Sequence, residues 1–165
     1  MGAWQNASAA SSGFTIYISA PRLVLMSKKS AKIAGLIEAY RGEKLNAHYL
    51  GYFQCFNLGL FYEAHDVLEE LWLAGRQGAN GAFYKGLIQF AGAFVHLKRG
   101  RLRPAAALFK LARASLGNYP PVHEQLDVKE VLALIENWLE RLESRDFAVN
   151  PFSDGNAPRL SLAPR

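Results

Sequence analysis

The stretch from Phe56 to Gly75, FNLGLFYEAHDVLEELWLAG, decides how the chain folds. Its early Asn57-Leu58-Gly59 segment is typical of a helix end, because glycine readily adopts the left-handed conformation found there. After this break, apolar residues return at helical spacing and form one stripe, which predicts an amphipathic helix over Leu60–Ala74. The stripe contains Phe61, Ala64, Leu68, Leu71 and Trp72. The stretch therefore predicts two helices joined by a tight glycine turn.

The same kinds of signal predict helices on both sides of this hairpin. The last of them begins at a capping-box-like start, Asp127 and Glu130, and carries a long apolar stripe that includes Leu132. No run in the body of the chain has the two-residue period of a β-strand. The other predicted helices span Ser30–Tyr40, Leu45–Asn57, Ala82–Lys98 and Pro104–Leu116. We therefore predict an all-α fold, a compact bundle of five to six helices built from helix–turn–helix hairpins.

A weak internal repeat supports this architecture. Placing Gly59 on Gly100, an offset of 41 residues, superposes Phe53 on Phe94 and Ala64 on Ala105. Both windows then consist of a helix, a glycine turn and a second helix. The arrangement is tetratricopeptide-like in part, although a true tetratricopeptide repeat has about 34 residues.

Composition and length predict one helical domain over residues 28–146 of the 165-residue chain. Residues 1–27 are expected to be a poorly ordered N-terminal tail, with Met26 as an alternative start, and residues 147–165 an irregular C-terminal tail.

No apolar run approaches the about 20 residues of a membrane-spanning helix, and no basic region precedes the first apolar segment. We expect no membrane association and a cytoplasmic location. Cys55 is predicted to be a core residue.

The net charge of +5 is unevenly distributed. Eight Lys and Arg residues, and no acidic ones, fall between Leu71 and His123, whereas seven acids follow between Glu124 and Asp146. One interpretation is a basic surface for RNA in the 98–113 segment. The other, which we favour, is that basic helices lie beside acidic ones and pair with them.

Polar residues at helical spacing on two predicted helices form a candidate site. His65 and Glu69 are four residues apart, a spacing at which they can hydrogen-bond, share a metal, or act as a base with its orienting carboxylate. The fourth helix carries a polar strip with a gap at Gly92 on an otherwise apolar surface. If the two helices face each other, they enclose a small polar pocket. The candidate pocket residues are Tyr62, His65, Glu69, Trp72, Lys85, Gln89 and His96.

Two interpretations of this cluster stay open. A polar strip on a buried helix needs partners or water, so the cluster is either a hydrogen-bond network that fixes the helix register or a ligand or catalytic pocket. The neighbouring acids Glu63, Asp66 and Glu70 are expected to point outward into solvent. No HExxH motif or Cys/His cluster is present, so we predict no metal and no other cofactor.

The runs FNLGLFYEAHDVLEELW and FYKGLIQFAGAFVHLKRG resemble the DUF309 family, a group of small helical proteins of prokaryotes and plastids. The resemblance covers about Gly51 to Tyr119. Its pattern is matched by Tyr62, Glu63, His65, Glu69 and Trp72, and then by Gly86, Ile88, Gln89 and His96. Lys85 departs from it, where many members carry glutamine. The resemblance implies an all-helical bundle of bacterial type and assigns no reaction.

The leading functional hypothesis is a binding or scaffolding module with a polar pocket between the helices near 62–72 and 85–96. Its partner would be a protein or a small molecule. One alternative is a small metal-assisted or His/Glu-dependent hydrolase that uses His65, Glu69 and His96. The other is RNA binding through the 98–113 segment. Whether the protein is an enzyme stays open at this point.

Overall fold

The computed structural model describes residues 28–164, so the predicted N-terminal tail, residues 1–27, lies outside the described residues. The chain divides into a unit that ends at Gly35 and a unit that begins at Leu36. Apart from the first helix, every feature described below lies in the second unit. The helices are α1 (Lys28–Ile37), α2 (Ala47–Asn57), α3 (Phe61–Gly75), α4 (Gly81–Lys98), α5 (Leu102–Leu116) and α6 (Val128–Glu143).

The predicted all-α bundle is confirmed, with small differences at its edges. The first helix ends at Ile37 and is followed by a 3-10 turn, Glu38–Tyr40. A short antiparallel hairpin, β1 (Val122–His123) and β2 (Leu126–Asp127), leads into α6. In residues 28–164, no helix has both the length and the apolar character that crossing a membrane requires.

Aromatic rings fill the centre of the bundle. Phe94 of α4 is fully buried, and its ring packs edge-on against Phe109 and Trp138 at centroid distances of 5.3 Å each. Cys55 is also buried, as predicted. Some residues of the predicted stripes are less buried than expected. Leu71, Trp72 and Leu132 are only partly covered, because each lies at the solvent edge of its helix's apolar face.

Helices α4 and α5 pack very closely, because a glycine lies at their crossing. A Cβ atom built on Gly86 would lie 2.7 Å from the Leu116 Cγ, nearer than real Cβ atoms come, and 3.2 Å from the Ser115 Cβ, which is a tight contact. Farther along α4, a Cβ atom on Gly92 would lie 3.2 Å from the Leu108 Cδ1. The absence of a side chain at Gly92 leaves space between α4 and α5.

Residues 147–164 lie on the helices although they contain only one short 3-10 turn, Asp154–Asn156. The ring of Phe152 contacts Phe61 and Trp138 at centroid distances of 6.0 and 6.1 Å. The Asn57 side chain hydrogen-bonds the backbone of Leu160, and Leu126 forms an isolated antiparallel bridge with Leu162. The irregular segment therefore contributes to the core.

Candidate functional site

A cavity of about 260 Å³ lies among helices α3, α4 and α5. Helix α3 contributes its first turns to the wall, α4 contributes its second half, and α5 contributes Leu108. The lining residues are Tyr62, His65, Ile88, Gln89, Gly92, Val95, His96, Arg99 and Leu108. Four predicted pocket residues, from two helices, are thus brought together: Tyr62, His65, Gln89 and His96.

The other three predicted residues do not line this cavity. Lys85 is exposed and does not line the cavity, which begins one turn farther along α4 at Ile88. Trp72 is partly buried near the far end of α3. Glu69 is partly buried one turn beyond His65 and lies near it, outside the wall. The cavity thus covers the N-terminal part of the 62–72 range and the C-terminal part of the 85–96 range.

The imidazole of His65 contacts the carboxylate of Asp66, a pairing that the helical spacing did not predict. Its Nδ1 lies 3.2 Å from Oδ1 of Asp66, whose side chain is only 14 % exposed. The expectation that Asp66 is solvated was therefore wrong. The ring also stacks on Tyr62, with a centroid distance of 6.3 Å and an interplanar angle of 16°. Both contacts fix the orientation of the ring in the cavity wall.

Glu70 was also expected in solvent, and this expectation was wrong as well. Its Oε2 lies 3.2 Å from the Nε2 of His48, and both side chains are partly buried. His48 comes from α2, so the pair links α2 to α3. No sequence signal joined these two residues, because pairing across helices depends on their packing.

His96 lies in the cavity wall, and its pKa is lower than that of an ordinary histidine. Burial lowers its pKa below the ordinary value of 6.5, and the positive charges of Arg101 and Arg99 lower it further. Its Nδ1 is buried and has no hydrogen-bond partner among the described residues. The imidazole is therefore neutral at pH 7 and adds no charge to the cavity.

Gln89 connects the cavity to α5, since its Oε1 accepts a hydrogen bond of 3.2 Å from the hydroxyl of Ser115. The remaining walls next to it are apolar side chains, Ile88, Val95 and Leu108. The cavity is therefore an apolar space with a few fixed polar groups, an arrangement typical of small-molecule sites.

Arg99 is a charged cavity residue that was not among the predicted pocket residues. It is the residue that follows the last turn of α4, where helical phase no longer predicts direction. The signal that could have found it is its spacing, three residues after His96 and seven after Gly92, which puts Arg99 on the same face if α4 is extended by one residue.

Most cations of the 98–113 segment have partners, as the favoured interpretation predicted. Lys110 lies 2.6 Å from Glu143 and Arg113 lies 2.9 Å from Glu136, both pairs joining α5 to α6. Arg103 lies 3.7 Å from Asp146 and stacks on Phe147. Lys98 donates a hydrogen bond to the Gly59 carbonyl oxygen and lies 3.6 Å from Asp154.

A cluster that could hold a metal ion lies beside the cavity. One potential ligand atom from each of His65, Asp66 and Glu69 falls within 4.8 Å of the others, and all three residues are partly buried. Nitrogen and carboxylate oxygens suit Zn²⁺ and similar divalent ions. Three such ligands on one turn of α3 would leave positions open for water or substrate.

Comparisons with known proteins place the cavity within a recognised segment. The family model described as "Domain of unknown function (DUF309)" matches residues 49–108, which confirms the resemblance to that family over this part of the chain. All nine lining residues fall in this segment.

An uncharacterised protein of Aquifex aeolicus (strain VF5) is 32% identical over 84 residues. This match covers 51% of the present chain and 25% of the Aquifex protein, so the chain spans about a quarter of its relative. No solved structure matches the chain.

Proposed function

We propose that this protein is a small-molecule-binding module and that the cavity among α3, α4 and α5 is its ligand site. The observation that carries the proposal is the convergence of Tyr62, His65, Gln89 and His96 on one cavity of about 260 Å³. Such a volume is slightly below the range for ligand pockets, about 300–1,000 Å³, and fits a small ligand of one or two rings.

Two features favour ligand binding over a purely structural network. A structural network satisfies its own polar atoms, whereas the buried Nδ1 of His96 has no hydrogen-bond partner in residues 28–164. A structural hydrogen-bond network also needs no cavity, whereas here Gly92, which has no side chain, keeps the interior of the cavity open.

The test uses protein-observed NMR with two-ring probes, 2-naphthoate and the uncharged 2-naphthylmethanol. At about 0.3 kcal/mol per non-hydrogen atom, a probe of about 13 such atoms binds with a dissociation constant near 1 mM. We expect at least one probe to shift the amide signals of α3 and α4 residues around the cavity. Absence of saturable shifts at ~10 mM of either probe, several times that constant, would refute the proposal.

A matched pair of glycine variants locates the binding. Gly92→Ala adds a methyl group to the cavity wall and should weaken binding, whereas a Cβ atom on Gly75 meets nothing within 4 Å and Gly75→Ala should leave it unchanged. Equal affinity in both variants would place the probe elsewhere.

The cluster of His65, Asp66 and Glu69 supports a second candidate, a metal-assisted hydrolase. A divalent ion there would lower the pKa of a bound water and supply a nucleophile next to the cavity. Calorimetric titration with ZnCl₂ tests it. Wild type should bind one ion. Glu69→Gln should bind it at least ~10-fold more weakly, because the variant has lost one of three ligands. Glu136→Gln, an exposed control, should bind the ion as wild type does. Equal binding by all three proteins would rule this candidate out.

The proposal includes a cytoplasmic location in a bacterium. The sequence predicts the location, and the Aquifex relative supports the source.

A further inference from the structure

We propose that the ligand of the cavity is an amphiphilic organic anion, with its apolar body between α4 and α5 and its oxyanion at Arg99. This inference rests on the proposed function and specifies the chemical class of the ligand.

The charge of the lining residues supports an anion. Arg99 carries a permanent positive charge, and none of the residues that line the cavity is Asp or Glu. His96 is neutral and contributes no charge, so the attraction for an anion comes from Arg99. A cation that faces a partly apolar cavity without an acid favours an oxyanion as its partner.

Arg99 and Arg101 differ from the other cations of the same segment. The cations Lys98, Arg103, Lys110 and Arg113 each pair with an acidic residue, whereas in the described part of the chain neither Arg99 nor Arg101 makes an ion pair. Both nevertheless lie close enough to His96 to lower its pKa. The two arginines therefore produce a positive potential at one end of the cavity, which a bound anion would balance.

The position of the oxyanion follows from a neighbouring groove. This groove, of about 210 Å³, shares Tyr62, Val95 and Arg99 with the cavity, so Arg99 lies where the two meet. The groove is also lined by Glu63 and Lys98, whose opposite charges offset each other, and neither of them lines the cavity, so Arg99 is the cation that faces the cavity. The anion is thus placed at Arg99 itself.

The other end of the cavity suits an apolar body. Ile88 and Leu108 line it, and Gly92 leaves room for a flat ring or a short chain between α4 and α5. Burial of such a body supplies the favourable free energy that a solvent-exposed arginine alone would not provide.

The experiment compares three probes that share one ring system: 2-naphthoate, 2-naphthyl phosphate and uncharged 2-naphthylmethanol. Dissociation constants are measured by NMR titration at low salt for wild type, Arg99→Gln and Arg103→Gln. Arg103→Gln is the matched control, because Arg103 belongs to the same segment but pairs with Asp146 and does not line the cavity.

We expect at least one anion to bind wild type about 10-fold more tightly than the alcohol, since charge-assisted hydrogen bonds are roughly twice as strong as neutral ones. Arg99→Gln should remove this preference, and the dispersion of its amide NMR signals shows whether the variant is folded. Arg103→Gln should retain the preference. Stronger binding of the phosphate than of the carboxylate would assign a phosphate ester.

Other outcomes separate the two proposals. Equal binding of all three probes by wild type would overturn the anion proposal and retain the ligand site. A preference for anions that survives in Arg99→Gln would also overturn it, because the oxyanion would then lie elsewhere. Failure of every probe to bind would overturn the proposed function and this inference with it.

Discussion

Gly59 and Gly100, 41 residues apart, have the same left-handed backbone conformation, with φ angles of 73° and 68°. The hydrogen bonds around them also correspond. Gly59 N–H donates to the Phe56 carbonyl oxygen at 2.9 Å, and Gly100 N–H donates to that of Leu97 at 3.0 Å. The chain therefore builds the same helix-ending turn twice, once between α2 and α3 and once between α4 and α5.

Replacement of Gly100 by alanine should destabilise the protein through the backbone alone. A Cβ atom at Gly100 meets nothing within 4 Å, so the cost is that of a left-handed L-residue, about 1–2 kcal/mol of unfolding free energy. Gly75→Ala is the control, since a Cβ atom there is equally unhindered and its φ is not positive. Urea denaturation should show a loss for Gly100→Ala only. Equal stability of the two variants would contradict this account of the turn.

The helices could be predicted from the sequence because their signals are local. Apolar spacing and glycine stops lie within a few residues of the elements they define, and five of the six predicted helices agree closely with the structure. The β hairpin could not be predicted, because its turn places Glu124 and Gln125 at positive φ without a glycine. The packing of residues 147–164 could not be predicted either, since it depends on contacts with distant helices.

The candidate site was predictable only as far as helical phase holds. Phase brought Tyr62 and His65 onto one face of α3 and Gln89 and His96 onto one face of α4. It did not extend to Arg99, which follows the end of α4. It also misplaced Asp66, because a rotamer that folds back to His65 depends on the local packing and not on spacing.

Removal of the Asn57 side chain should detach the C-terminal segment. Its Nδ2 donates to the Leu160 carbonyl oxygen and its Oδ1 accepts from the Leu160 N–H, both at 2.7 Å. Asn57→Ala leaves both backbone groups of Leu160 without a partner, which costs about 1–3 kcal/mol. Hydrogen exchange should show lost protection at Leu160. The control Asn118→Ala removes one exposed hydrogen bond to Ala114 and should leave the protection of Leu160 unchanged. Unchanged protection in Asn57→Ala would show that other contacts hold the segment.

Two leucines of the predicted stripes should differ in their contribution to stability. Leu68 is fully buried, so Leu68→Ala should reduce the unfolding free energy by about 2–5 kcal/mol through lost burial and a cavity. Leu132 is only partly buried, so Leu132→Ala should cost less than about 2 kcal/mol. Denaturant titrations of the two variants measure the difference. A larger loss for Leu132 would mean that the face of α6 is wrongly assigned.

The depressed pKa of His96 should make the protein less stable in mild acid. The unfolded chain binds a proton at this residue near pH 6.5, whereas the folded chain resists it because the ring is buried and near Arg101 and Arg99. The unfolded state therefore binds more protons below pH 6.5, and the unfolding free energy must fall as the pH is lowered from there. One such group contributes a slope of at most about 1.4 kcal/mol per pH unit.

Variants assign this slope to His96. Chemical denaturation at pH 7.5 and pH 5 should show a smaller acid-induced loss in His96→Gln than in wild type, because the variant has no ring to titrate. Arg101→Gln should also reduce the loss, since it removes one of the two charges that lower the pKa, whereas Arg103→Gln should not. If His96→Gln loses as much stability in acid as wild type does, the weakened base lies elsewhere in the chain.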